Sequence, residues 1–90
     1  YKANLREASL WQANLDRANL SEANLEETDL SEASLEGTDL SKASLEGTYG
    51  LTQAQLAQSR LCLTKLPEGI TLDSNRDCEE LLIDPETGEY

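Results

Sequence analysis

The sequence predicts an all-β fold: a right-handed quadrilateral parallel β-helix of a little over three coils, closed by a short C-terminal α-helical cap. Three observations carry this expectation. Leucine recurs at every fifth residue, as Leu5, Leu10, Leu15, Leu20, Leu25, Leu30, Leu35, Leu40 and Leu45. A small residue stands two before each one: Ala3, Ala8, Ala13, Ala18, Ala23, Thr28, Ala33, Thr38 and Ala43. Glycine falls second after a leucine at Gly37 and Gly47.

A period of five suits neither standard element. On an α-helix it rotates about 500°, so the leucines would spiral round every face. On a flat strand they would alternate between faces, because the side-chain period there is two. Within one pentad, however, the small residue and the leucine lie two apart and share a face. A chain that is extended through them and turns in the next two residues points every pair inward. Four such sides with square corners close a coil of about 20 residues, and successive coils stack at about 4.8 Å through parallel ladder bonds. The right hand follows from the chirality of parallel crossovers. Gly37 and Gly47 take the third position of a four-residue turn, where a type II turn needs positive φ.

Ala13-Asn14-Leu15 and Ala23-Asn24-Leu25 resemble the units of the pentapeptide-repeat proteins, which are built as right-handed quadrilateral β-helices. The resemblance covers about two thirds of the chain and is specific for fold rather than for function. It also implies a bacterial, in particular a cyanobacterial, source.

The 90 residues suit one small domain, and a hydrophobic content of 38% with a single Trp and no Phe would poorly fill a globular core. A narrow tube needs less, since each buried leucine contributes roughly 1.5–3 kcal/mol. No apolar run approaches the length that spans a membrane. The chain lacks Met, and Tyr1-Lys2 reads as the end of a preceding pentad, so further coils are expected before it. The net charge of −11 argues against direct binding to nucleic acid or anionic lipid and suits solubility or a basic partner.

The solenoid is expected over 1–66. Leucines beyond Thr48 return one residue late, at Leu51, Leu56, Leu61 and Leu66, which predicts a one-residue bulge at Tyr49-Gly50 and turns Tyr49 inward. Residues before the leucines (Asn4, Asn14, Asp29 and their equivalents) point outward, where their side chains can bond their own turns. Pro67 ends the ladder, and Ile70 and Leu72 are expected to fold over the open end. Over 67–90 a capping segment is predicted, with an N-cap at Asp73-Ser74, a helix at about 75–82 whose Leu81 and Leu82 face the last coil, and a loose tail.

No His, phosphate loop, Cys-x-x-Cys pair or nucleophile elbow is present, so no catalytic residue, cofactor or metal is expected. Asp73 to Asp77 echoes a calcium loop, but Cys78 and Asp84 stand where that loop needs glycine and glutamate, and a helix cap fits better. Glu7, Glu26, Glu27 and Glu46 should gather on the first side of the tube, as a solvated face or as a mimic of DNA phosphates. Trp11 points outward at a corner, marking an interface or packing on an earlier coil. Cys62 and Cys78 fall where the cap must be held, which favours a disulfide over two thiols kept reduced in a cytosol. The absence of a leader within the chain leans towards the cytoplasm, whereas a disulfide points to an oxidising compartment.

The function expected is a non-enzymatic scaffold or protein-binding module, meeting a protein partner or a second copy through the open N-terminal end. The resemblance to topoisomerase-protecting members supplies the rival reading, an acidic DNA mimic that binds a topoisomerase such as gyrase. A third reading is an enzyme accessory whose acidic side carries a cation.

Overall fold

The computed structural model describes residues 2–89; Tyr1, part of the expected preceding pentad, and Tyr90 lie outside the described residues. The chain returns over itself through isolated parallel bridges rather than continuous strands. One vertical series is Asn4, Asn24, Ser44 and Lys65; the second is Ser9, Asp29 and Tyr49. The third is Asn14 and Ser34, and the fourth Asn19, Asp39 and Arg60. Each rung bonds as a parallel ladder does: the Leu5 N–H donates to the Asn24 carbonyl and the Asn24 N–H to the Ala3 carbonyl, both at 2.8 Å.

Between sides the chain turns with positive φ at the second residue after each leucine from Leu5 to Leu45. Gly37 and Gly47 sit at 68° and 72°, but Glu7, Gln12, Arg17, Glu22, Glu27, Glu32 and Lys42 take the same conformation at 58–64°. Each costs something without glycine, and local hydrogen bonds offset it. The Glu7 N–H donates to the Glu26 carbonyl at 2.9 Å, and the Ala8 N–H closes the turn on the Leu5 carbonyl at 3.0 Å. Asn14, Asn24, Asp29 and Asp39 each accept the N–H two residues on at 3.0 Å.

The interior holds Leu20, Leu25, Leu30, Leu35, Leu40, Leu45, Leu56 and Leu61 with Ala23, Ala33 and Ala43, all buried. Leu5, Leu10, Leu15 and Leu51 are half-buried and pack against them. Threonine replaces alanine in the tube without an orphaned hydroxyl where a carbonyl of the coil below is in reach. Thr28 Oγ1 donates to the Leu5 carbonyl at 2.8 Å and Thr38 Oγ1 to the Leu15 carbonyl at 2.7 Å.

The register differs from the sequence expectation in one place. Tyr49 still pairs with Asp29, twenty residues back, whereas Arg60 pairs with Asp39, twenty-one back. The extra residue therefore falls between Tyr49 and Arg60, a stretch that takes in Gly50 of the expected bulge and then forms a helix, α1 (Gln53–Ala57), on the third side of the last coil. Thr52 and Gln55 form a reciprocal capping box that starts it. Gln55 Nε2 donates to the Leu30 and Ala33 carbonyls at 3.0 and 2.9 Å, the second in place of the lost rung bond, and Leu56 stays fully buried.

Beyond Lys65 the chain covers the last coil. Pro67 is buried, and Ile70 and Leu72 pack on the leucine core. Over 74–82 the chain makes consecutive turns instead of the expected α-helix. The cause is competition: the Asp77 N–H, which a helix would direct back to Asp73, donates to the Leu61 carbonyl at 2.8 Å. Asp77 Oδ2 in turn accepts the Leu61 N–H at 2.9 Å and Asn75 Oδ1 the Leu63 N–H at 2.8 Å. The turns end where the Ile83 N–H reaches the Cys78 carbonyl at 2.9 Å and the Leu82 N–H that of Glu79 at 3.1 Å. That pairing is a Schellman motif with Leu82 in its left-handed position at φ 59°. Leu81 packs on Cys62, Cys78 and Ile83, whereas Leu82, expected to face the coil, is turned to solvent.

Candidate interaction surface

The stacked turns sort the outward side chains into columns. At the first corner the Glu7 N–H donates to the Glu26 carbonyl at 2.9 Å and the Glu27 N–H to the Glu46 carbonyl at 3.0 Å, so Glu7, Glu26, Glu27 and Glu46 rise together. Arg6 stands among them. Its Nη2 is 2.6 Å from Glu27 Oε1 and its Nη1 3.6 Å from Glu7 Oε1, so two of the four charges are answered locally.

The second corner carries Trp11, with its side chain in water, two residues past Ser9 at the foot of the Ser9–Asp29–Tyr49 series. Tyr49 is exposed as well, contrary to the inward position the leucine spacing gave it. Its ring is too large for a tube lined by alanine and threonine, and the retained 20-residue register keeps it on the outward series. That bulk is the signal in the sequence that could have placed it. Below it, Ser31 donates to Asp29 from its backbone N–H at 3.0 Å. The Ser31 hydroxyl and then that N–H hold the Asp29 carboxyl below its ordinary value, against a smaller opposing effect of burial.

Gly50 crosses Ser31 so closely that a Cβ on it would lie 1.9 Å from Ser31 Oγ and 2.8 Å from Ser31 Cα. Its φ of 70° is likewise one that glycine adopts freely.

Two grooves flank α1. One, of about 560 Å³, is lined by Arg17, Glu36, Gly37, Ala57, Gln58 and Arg60. The other, of about 430 Å³, runs past Glu32, Leu35 and Gln55. Arg60 is engaged with Glu80 at 3.1 Å.

Cys62, on the last coil, is joined to Cys78 of the cap by a disulfide with the Cα atoms 4.8 Å apart. Arg76 Nη2 donates to the Ser59 carbonyl at 2.5 Å beside it, and its guanidinium meets Asp77 at 3.1 Å. Asp73 Oδ1 accepts the Asn75 N–H at 2.9 Å. Asp77 thus holds the cap to the coil, and Asp73 holds its own turn. Among the described residues no group of three or more acidic or cysteine side chains gathers as a set of metal ligands. No helix there is long and apolar enough to cross a membrane.

A family model described as Pentapeptide repeats matches residues 1–37 and 18–49, in 8 copies. The match ends where the 20-residue register ends, at Tyr49. Among curated proteins none matches the chain. Since the repeat model spans more than half of the sequence, and its pentads are the units that stack in the ladder, the chain belongs to the pentapeptide-repeat family.

Proposed function

We propose that this chain is a non-enzymatic scaffold whose outer flanks bind a partner protein, and that its coil is the right-handed, square-sectioned β-helix of the family, a little over three coils long. One observation carries the reading. The asparagines and aspartates before the leucines are committed to their own turns, as Asn14, Asn24, Asp29 and Asp39 are, while Trp11 and Tyr49 remain in water on a rigid ladder. Polar groups satisfied within the backbone are poorly placed for chemistry, whereas fixed exposed aromatics favour recognition. The test is affinity capture with the full chain, native and Trp11→Ala, from cells that make it. A partner recovered in proportion with the native chain and lost with the variant supports the reading, and equal recovery by both counts against it.

A second reading, an acidic DNA mimic that occupies a topoisomerase such as gyrase, draws on the net charge of −11 and the stacked glutamates of the first corner. Arg6 among those glutamates weakens it. Inhibition of gyrase supercoiling by about 10 µM chain would favour the mimic, and none at that concentration discards it.

A further inference from the structure

Among the described residues the large hydrophobic side chains most exposed are Trp11 at 55%, Tyr49 at 60% and Leu82 at 76%. The first two share a flank. Tyr49 tops the series Ser9, Asp29, Tyr49, and Trp11 follows Ser9 by two residues in the first coil. The backbones that carry the rings therefore stand two rungs apart along the axis, about 10 Å, with Trp11 displaced into the turn that follows Leu10. Between them the second coil presents only the short side chains of Asp29 and Ser31, and Gly50 above Ser31 presents none. Two aromatic rings thus bracket a shallow saddle with a carboxylate in its floor. The rim is acidic too: Glu32 is exposed one residue beyond Ser31, and the chain as a whole carries −11.

We propose that this saddle docks a proline-rich segment of a partner protein that carries arginine or lysine beside its prolines. The proposal rests on the interaction-module reading and narrows its partner. A polyproline II segment repeats every three residues at about 3.1 Å each, so equivalent prolines recur at about 9.3 Å, close to the separation of two rungs. Proline's apolar ring packs on aromatic faces, and its preset φ leaves little entropy to lose on docking. The carbonyls that such a segment leaves unbonded can accept from the indole N–H and the tyrosine hydroxyl. The short floor residues let the peptide backbone approach, and the charge of Asp29 selects a basic neighbour over an acidic one. Hydrogen bonds from Ser31 favour that charge, so it persists through neutral pH.

Trp11 is the only tryptophan, so its emission reports on the saddle directly. The experiment titrates the full chain with a synthetic arginine-flanked Pro-x-x-Pro peptide and with a proline-free scramble. The expected result is a saturating change with the first peptide alone, with Kd on the order of 100 µM. Tyr49→Ala, with melting unchanged by circular dichroism, should weaken binding about tenfold. Asp29→Asn keeps an oxygen for the Ser31 N–H and should weaken binding about threefold and flatten its salt dependence. Unchanged emission up to about 1 mM peptide, an equal response to the scramble, or unaltered affinity in Tyr49→Ala would overturn the proposal. So would a concentration-dependent dimer in sedimentation that buries Trp11. If the peptide fails while Trp11→Ala still abolishes capture of a cellular partner, the proline-rich assignment falls and the interaction-module reading stands. If both fail, both fall.

Discussion

At Gly50 backbone freedom and space act together. Substitution by alanine forces a Cβ into Ser31 and holds an L-residue at φ 70°. Gly50→Ala should cost about 2–3 kcal/mol in denaturant unfolding. Adding Ser31→Gly should recover only part of this, because the Ser31 Cα remains within 2.8 Å. Leu82 presents the opposite case, a bulky residue where glycine is preferred. It sits in the left-handed position of a Schellman motif with its side chain in water. Leu82→Gly should therefore raise stability by roughly 1 kcal/mol, and a lower melting temperature would show that the side chain is held elsewhere. Asp29 gives the fold a pH signature. Its folded pKa lies below the ordinary 3.8, so its contribution is complete above that value and is lost as pH falls through the folded value. Asp29→Asn should flatten that acid limb of the stability curve.

Among elements, α1 is the substitution that keeps the last coil closed. Five residues of helix replace one side of the coil, and Gln55 answers the Ala33 carbonyl, which a rung would have answered, and adds a bond to the Leu30 carbonyl of the turn. Gln55→Glu isolates that role. The glutamate can still accept the Thr52 N–H in the capping box, but it cannot donate to Leu30 and Ala33. A loss of about 2 kcal/mol is expected, close to that of Gln55→Ala. If Gln55→Glu is as stable as the native chain, the capping box alone holds the helix. Over 74–82 the balance runs the other way. Asp77 and Asn75 spend their hydrogen bonds on Leu61 and Leu63 of the coil, and the segment stays a run of turns.

At the scale of the whole molecule, the chain is a ladder with one end covered, 32 × 24 × 23 Å along its principal axes. The disulfide couples the cap to the ladder across a sequence separation of 16. Reduction should lower stability by about 3 kcal/mol, and the Cys62→Ala, Cys78→Ala double variant should melt alike with and without reductant. If reductant leaves the native chain's melting unchanged, the cap is held by Asp77, Asn75 and Arg76 alone. The grooves beside α1 and the glutamate corner belong to this scale as well. They arise from how coils stack, and no single pentad contains them.

Much of the architecture follows from local chemistry that a sequence displays. Leucine and a small residue two apart can share one interior only if the chain turns in the remaining two, and that rule returns residue 24 to residue 4. Within the repeats, an asparagine or aspartate that precedes a leucine likewise bonds its own turn wherever that turn stands. The outcome after Thr48 was not local. A late leucine can be absorbed by a bulge or by a helix, and both keep Leu56 inside. The choice depended on carbonyls of Leu30 and Ala33, more than twenty residues away, that Gln55 could reach. Tyr49 faces outward for the same reason, since its partner Asp29 holds the older register. Spacing along the chain determined which side chains share the axis. Contacts between coils decided where the surplus residue went, and so which aromatic rings stand in water.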